Sequence, residues 1–237
     1  MVLVVVKLAK LKLEVRQNIS NLSQDGIISE TRNGGFNWMG SERLADKLAI
    51  QIGEVVKYSR LVYERGLVTA AGGNVSMRCG QYIMLTASGV SLRDIDASSV
   101  LICGLDGAVL ENPGSIKPTK EWQFHVSIYA QYPGIDSVIH VHPPYAVAYT
   151  YHGKEIPMVT GSAEMKLKHV PNVPYEWPGS KTLADTVTET VKAAGENCHG
   201  VVLQRHGIIA YEKGMSACFD TAELIEDTAR IAMLAGV

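Results

Sequence analysis

Two histidines separated by one residue lie within an apolar segment near the middle of the chain. Residues 137–144 read Ser-Val-Ile-His-Val-His-Pro-Pro, which predicts a β-strand that ends at the prolines. Side chains alternate between the faces of a strand, so His140 and His142 point the same way while Val141 points into the body of the protein. Two imidazoles directed at one point form half of a metal site, or they are packed histidines of a core strand.

Two further segments supply the groups that a metal site would still need. Residues 201–209 form a second apolar run that contains His206, and Glu121 lies near the start of the amphipathic segment before the histidine pair. A catalytic zinc site commonly has three protein ligands and an open position, with a carboxylate nearby as the base. The three histidines and this glutamate therefore predict a catalytic zinc site that carries its own base.

Composition and charge argue against several classes of protein. The chain has 237 residues, of which 46% are hydrophobic, so it can bury a sizeable core in one large domain. Its 22 basic and 24 acidic residues give a net charge of −2 and form no basic stripe, so we expect no nucleic-acid partner. We find no apolar run that could span a membrane and no secretory signal, and we therefore expect no membrane association and a cytoplasmic location.

The hydrophobic pattern predicts strand pairs with interspersed helices. An amphipathic helix is expected from the N-cap Ser41 to Gly66. Further helices are predicted at about residues 121–132, 143–151, 182–194 and 215–234. Strands are predicted at residues 74–78, 82–86, 100–103, 108–110, 137–142, 156–160 and 200–205. This order favours a three-layer α/β domain over a Rossmann-type parallel sheet.

The first 38 residues differ from the rest of the chain. They begin with alternating Val, Leu and Lys, which could form an edge strand, and continue as a polar stretch. We interpret residues 1–38 as an N-terminal extension of uncertain role, which is a docked arm or translated upstream sequence. Residues 39–237 are expected to form the catalytic domain.

Three short segments are candidates for binding an anion. The Gly-Gly-Asn segment at residues 72–74 and the turn at residues 86–89 would expose backbone N–H groups, and Thr119 with Lys120 precedes a predicted helix. Each has an ordinary alternative, because Gly-Gly-Asn also forms tight turns and Lys120 also suits a solvated surface. His125 either lines the same site or packs in the core. No chemistry is assigned to His152, His169 or His199.

Five motifs follow one another in the order, and at about the spacing, seen in the class II aldolase/adducin family. They are Gly73–Ser76, Thr86–Gly89, Lys117–Glu121, His140–His142 and His206–Gly207. From about Ser41 onward the chain resembles this family. The resemblance implies an α/β/α sandwich around a mainly antiparallel central sheet. It also implies a homotetramer with active sites at subunit interfaces.

The resemblance also implies roles for individual residues. It implies that His140, His142 and His206 bind Zn²⁺. Mn²⁺ or Co²⁺ could take the place of Zn²⁺. Glu121 would be the catalytic acid/base and would also occupy the metal before substrate arrives. The expected binding site for the phosphate of a small sugar phosphate comprises Gly73, Asn74, Ser88, Gly89, Thr119 and Lys120.

The activity implied by the resemblance is that of a class II aldolase. A ketose 1-phosphate similar to fuculose 1-phosphate would be cleaved to dihydroxyacetone phosphate and an aldehyde through a metal-stabilised enediolate. Lys120 equally suits a decarboxylase of a 3-oxo sugar-acid phosphate, because a lysine would bind the carboxylate. A ribulose-phosphate 4-epimerase is less expected, since that branch has aspartate at the position of Glu121. A non-catalytic adducin-like module is also less expected, because all four metal-site residues are present.

Overall fold

The computed structural model describes residues 28–30, 36–38 and 43–237. The chain divides into two units, Met1–Lys47 and Leu48–Val237. In the first unit, strands β1 (Ile28–Glu30) and β2 (Phe36–Trp38) pair antiparallel, and a helical turn, α1, covers Leu44–Lys47. The edge strand expected at the start of the chain and the N-cap predicted at Ser41 lie outside the described residues. The role of residues 1–38 stays a prediction.

The second unit is built on one eight-stranded sheet. Its strands are β3 (Asn74–Cys79), β4 (Tyr82–Thr86), β5 (Val100–Gly104), β6 (Val109–Glu111), β7 (Ser137–Val141), β8 (Asn172–Val173), β9 (Gly200–Leu203) and β10 (Gly207–Glu212). They lie in the order β6-β5-β4-β3-β7-β10-β9-β8. Every pairing in this sheet is antiparallel except that of β8 with β9. The sheet is therefore mixed, with mainly antiparallel pairing.

Helices cover both faces of this sheet. They are α2 (Ala49–Glu64), α3 (Trp122–Gln131), α4 (Pro144–Thr150), α5 (Gly161–Lys166), α6 (Lys181–Ala194) and α7 (Met215–Ala235), with a 3₁₀ turn at Ala97–Ser99. Helices α2 and α7 pack on one face, while α3 and α6 contact each other and share a buried apolar cluster with the other face. The predicted three-layer α/β/α fold is confirmed.

Strand β7 lies at the centre of the sheet and alternates between the two helical layers. Val138 belongs to the apolar cluster formed with α3 and α6. His140 projects from the same face, because side chains two residues apart in a strand share a face. Val138, Ile139 and Val141 are fully buried. Apolar residues thus fix this strand, and His140 and Ser137 are the polar residues that it buries.

Two predictions from the sequence, the end of a helix and the presence of a strand, had opposite outcomes. Helix α2 ends at Glu64, and Gly66 follows with a φ of +72°, which is the left-handed conformation that a C-terminal glycine supplies. The strand predicted at residues 156–160 was wrong, because these residues adopt no regular structure. Pro157 has no N–H for a β-ladder, and the side chain of Thr160 instead caps α5 by accepting from Ala163 N.

Among the described residues, no helix is both long and apolar enough to cross a bilayer.

Candidate metal centre and active site

Three histidine side chains converge at the end of β7. His140 lies in β7, His142 directly follows it, and His206 lies in the turn between β9 and β10. Their ligand nitrogens all lie within 4.8 Å of one another. The Nε2 atoms of His140 and His142 are 3.0 Å apart. The structure thus brings the three predicted metal ligands to one point.

The surroundings of these histidines keep nitrogen lone pairs available. His140 is fully buried, and its Nδ1 lies 2.9 Å from the carbonyl oxygen of Ile208, which accepts its proton and leaves Nε2 facing the cluster. Burial, followed by the proximity of His140, lowers the pKa of His142 to about 3 and that of His206 to about 4. Both imidazoles are therefore neutral near pH 7, which is the form that binds a metal ion.

Glu121 directly precedes α3 and places its carboxylate against the histidines. Its Oε2 lies 3.2 Å from His140 Nε2, and its Oε1 lies 3.3 Å from His206 Nε2. Oε2 also accepts a hydrogen bond of 3.0 Å from the Nδ2 of Asn74. Burial raises the pKa of Glu121, but its interactions with His140, His206 and Asn74 outweigh the effect of burial and hold this pKa well below its usual range.

The donor set fits a divalent metal ion. It consists of three imidazole nitrogens and one ionised carboxylate, which zinc and similar first-row ions prefer. Within the part of the chain that the structure describes, the buried Oε1 of Glu121 has no hydrogen-bond partner. A buried carboxylate oxygen without a partner is costly, and a cation bound by the neighbouring nitrogens would offset that cost.

Glycines allow the backbone to approach His142 from two sides. A Cβ on Gly72 would lie 2.7 Å from His142 Nδ1, and a Cβ on Gly207 would lie 2.8 Å from His142 Cδ2 and collide with the carbonyl oxygen of Val141. Gly73 has a φ of +75°, which other residues rarely adopt. The glycines beside Asn74 and after His206 therefore shape the histidine site itself.

Two cavities meet at the histidines. One, of about 450 Å³, has polar groups on its wall and is lined by Gly72, Gly73, Asn74, Lys120, Glu121, Tyr175 and Trp177, together with His142 and His206. The other, of about 550 Å³, is more apolar and is lined by Pro144, Val147, Ala148, Tyr151 and His152, together with the same two histidines. The candidate metal site thus lies between two cavities, which we call the polar and the apolar cavity because Asn74, Lys120 and Glu121 lie in the wall of the first.

The six candidate phosphate-binding residues fall into two groups. Gly73, Asn74 and Lys120 line the polar cavity, whereas Ser88, Gly89 and Thr119 lie outside its lining. The turn after β4 nevertheless lies beside the segment that leads into α3, because Ser88 N donates to Lys117 O at 2.8 Å. Thr119 is buried, and its Oγ1 accepts from Glu121 N at 3.3 Å. That N–H of Ser88 and the hydroxyl of Thr119 thus already make hydrogen bonds within the chain.

The aromatic side chains around the cavities were not predicted from the sequence as residues of the site. Tyr175 and Trp177 come from the proline-stiffened loop after β8, and Trp177 is 74% exposed. The guanidinium of Arg205 lies 4.4 Å from the ring centroid of Tyr175 and 5.8 Å from that of Tyr151. Aromatic residues between prolines were the available signal, but the position of this loop depends on tertiary structure.

The remaining histidines have different environments. His125 is fully buried and hydrogen-bonds to Asn74 and Ser76, so it packs in the core behind the site. His152 is exposed and lines the apolar cavity. His169 is exposed and lies near Glu155, and His199 is partly exposed beside Glu212.

Comparison with known proteins identifies the family. The family model described as Class II Aldolase and Adducin N-terminal domain matches residues 53–233. The chain therefore belongs to the class II aldolase and adducin family.

Three relatives illustrate what this chain is similar to. An L-fuculose phosphate aldolase of Methanococcus maripaludis is 33% identical over 75% of this chain and 93% of its own length. A 3-oxo-tetronate 4-phosphate decarboxylase of Pectobacterium atrosepticum is 28% identical over 88% of this chain and 93% of its own. A solved structure of an L-fuculose 1-phosphate aldolase superposes with a TM-score of 0.71 at 27% identity, and the match covers 79% of this chain and 87% of that one.

Metal analysis tests the candidate centre. We expect one divalent ion per chain in protein purified without chelators, and loss of that ion in His142→Ala because only two imidazoles remain. His169→Ala is the matched control, since His169 is exposed near Glu155 and distant in sequence from the cluster. Elemental analysis and titration with Zn²⁺ provide the measurement. Equal metal content in the two variants would contradict the assignment.

Proposed function

We propose that the chain is a divalent-metal-dependent aldolase, an aldehyde-lyase that acts on a small ketose 1-phosphate similar to fuculose 1-phosphate. The products would be dihydroxyacetone phosphate and an aldehyde. The observation that carries this proposal is the convergence of three imidazoles and one carboxylate between two cavities of different polarity. The aldolase named among the similar proteins supports the choice of reaction.

The metal would be held by His140, His142 and His206. A bound Zn²⁺, or Mn²⁺ or Co²⁺, would act as a Lewis acid that polarises the substrate carbonyl. The fixed Nδ1–H bond of His140 to Ile208 O and the glycines around His142 keep the imidazoles oriented for this task.

Glu121 would serve as the acid/base that moves the proton during carbon–carbon cleavage. Its two oxygens are not equivalent, because Oε2 accepts a hydrogen bond from Asn74 while the buried Oε1 accepts none from the described residues. Oε1 is therefore the oxygen with a free lone pair, and it lies on the side of His206. We assign the proton transfer to this atom.

The two cavities suggest how the substrate would lie. The polar cavity would take the phosphate end, where Lys120 provides a cation and Gly73 and Asn74 provide polar backbone and side-chain groups. Outside the lining of this cavity, the phosphate site would also include Ser88, Gly89 and Thr119. The apolar cavity, with Val147 and Ala148 in its wall, would take the departing aldehyde.

We also propose that the chain forms a homotetramer with active sites at subunit interfaces. Large aromatic side chains at the cavities support this proposal, since Trp177 and Tyr151 are 74% and 55% exposed. Sedimentation at micromolar concentration should give about four times the chain mass of 25.7 kDa. A monomer under these conditions would contradict the proposal.

Glu121→Gln tests the role of the carboxylate. Kinetics would follow dihydroxyacetone phosphate released from fuculose, rhamnulose and ribulose 1-phosphates by metal-loaded protein. We expect kcat to fall by about 10²- to 10⁴-fold, because the amide cannot take up the proton. Glu155→Gln makes the same chemical change at an exposed carboxylate and should leave kcat unchanged. The aldolase assignment fails if the wild-type protein cleaves none of the three substrates.

A second candidate function is decarboxylation of a 3-oxo sugar-acid phosphate. Lys120 favours it, because this cation lines the same cavity as Asn74 and His206 and would bind a carboxylate as readily as a phosphate. The similarity to the Pectobacterium decarboxylase points in the same direction.

Lys120→Ser distinguishes the two reactions. If the chain is a decarboxylase, the wild-type protein releases CO₂ from 3-oxo-tetronate 4-phosphate, and the variant needs about tenfold more substrate because one charge-assisted contact is lost. Lys117→Ser is the matched control, since Lys117 is an exposed lysine of the same segment outside the cavity lining. If the chain is an aldolase, no CO₂ appears and dihydroxyacetone phosphate does.

A further inference from the structure

A chain of four hydrogen bonds runs from the interior of the domain to Glu121. The hydroxyl of Tyr129 lies 2.8 Å from Ser76 Oγ, which lies 2.7 Å from the Nδ1 of His125. The Nε2 of His125 lies 2.6 Å from Asn74 Oδ1. Asn74 then donates from Nδ2 to Glu121 Oε2 at 3.0 Å. The chain thus links helix α3 to strand β3 and ends on the proposed acid/base.

The members of this chain are shielded from water. His125 and Ser76 are 0% exposed, and Asn74 and Tyr129 are 3% exposed. Buried polar groups cannot exchange a poor partner for solvent, so each donor in the chain has to meet an acceptor. The positions of the protons are therefore strongly constrained by the heavy atoms.

The contact between Asn74 and Glu121 sets the direction of every hydrogen bond. Asn74 donates from Nδ2 to Oε2, so its Oδ1 faces His125. His125 must then carry its proton on Nε2. Burial lowers the pKa of His125 to about 3, so the ring is neutral and its Nδ1 has to accept from Ser76. Ser76 in turn accepts from the hydroxyl of Tyr129, which lies 2.8 Å from Ser76 Oγ and a longer 3.4 Å from the carbonyl oxygen of Asp136. All donors of the chain then point towards Glu121.

The opposite tautomer of His125 would disrupt this arrangement. With the proton on Nδ1, the Nε2 of His125 could only accept a hydrogen bond. The amide of Asn74 would then have to flip, so that its NH₂ group faces His125. The Oδ1 of Asn74 would then face Glu121 Oε2, which places two acceptors 3.0 Å apart in the interior. The tautomer of His125 thus decides which end of Asn74 meets the carboxylate.

We propose that His125 is a positioning residue, which acts through Asn74 to hold Glu121 Oε2 and leave Oε1 free for proton transfer. His125 lies outside the lining of both cavities at the histidine cluster, so it does not reach the substrate directly. Its effect on turnover rests on the proposed function, whereas its tautomer is a property of the folded chain.

The tautomer is measured by long-range ¹H–¹⁵N correlation spectra of the full-length, ¹⁵N-histidine-labelled, zinc-loaded protein. We expect the neutral Nε2–H form for the resonance that disappears in His125→Gln. A neutral Nδ1–H form, or a charged ring at pH 7, would overturn the proposal. This readout needs no substrate and no turnover.

Two variants at this position test the effect on turnover. In His125→Leu, which removes the donor to Asn74, we expect kcat to fall by about 10- to 100-fold. KM and the affinity for Zn²⁺ should change by less than about threefold, because no contact to substrate or metal is lost. His125→Gln keeps an amide donor near the position of Nε2 and should restore most of kcat.

Two outcomes would contradict a positioning role. One is a loss of Zn²⁺ affinity that parallels the loss of kcat, and the other is a glutamine variant no better than the leucine variant. Thermal melts show whether each variant folds. If the leucine variant does not fold, the spectrum of the wild-type protein still decides which tautomer His125 adopts. A wild-type protein that cleaves none of the sugar phosphates contradicts the proposed function, whereas an active protein with the Nδ1–H form contradicts the role of His125.

Discussion

The register of β7 between its two antiparallel neighbours is the constraint on which the site depends. His140 lies opposite Asn74 on β3 and opposite Ile209 on β10. A slip of one residue would turn His140 to the other face of the sheet, away from α3 and Glu121. The fully buried Val138, Ile139 and Val141 pack on both faces of the strand, so a slip would put each into space shaped for a different side chain. Apolar packing on both faces of the strand thus positions the histidine that it carries.

A polar cluster inside the domain is stable only if neighbouring residues satisfy its hydrogen bonds and fill the space around it. The ring of Phe124 packs edge-on against His140, with centroids 5.4 Å apart, and fills the apolar side of the site. The Nδ1–H of His140 is satisfied by a backbone carbonyl, and the glycines at positions 72 and 207 leave room for the ring of His142. Packing and hydrogen bonding therefore fix the imidazoles before any ligand binds, which reduces the entropy lost on binding.

The sequence predicted those parts of the site that follow from local geometry. The two-residue period of a strand was enough to place His140 and His142 together, and the glycine after α2 was enough to end that helix. The hydrogen bonds of His125 were not predictable, because its partners on β3 lie 49 and 51 residues away in sequence. The helical period of α3 indicates only that position 125 faces inward.

The wrong strand at residues 156–160 has a physical cause. Apolar residues at 156–160 suited a strand by composition, yet a strand also needs a neighbour with free N–H and C=O groups, and sequence does not reveal that neighbour. The phosphate candidates are a different case, because their role stays a prediction. The fold already uses the backbone N–H of Ser88 as a donor and a lone pair of the Thr119 hydroxyl as an acceptor. Residue type indicates what a group can bind, and only tertiary structure shows whether it is available.

The inequivalent oxygens of Glu121 connect stability with chemistry. Leaving the buried Oε1 without a hydrogen bond costs about 1–3 kcal/mol, and an additional donor would remove that cost. The same donor would also occupy the lone pair to which we assign the proton transfer. Asn74 supports only the other oxygen, so the fold stabilises the orientation of the carboxylate and leaves Oε1 without a hydrogen bond from the described residues. Any ion bound by the three histidines would bind only the folded chain, and its binding free energy would offset this local instability.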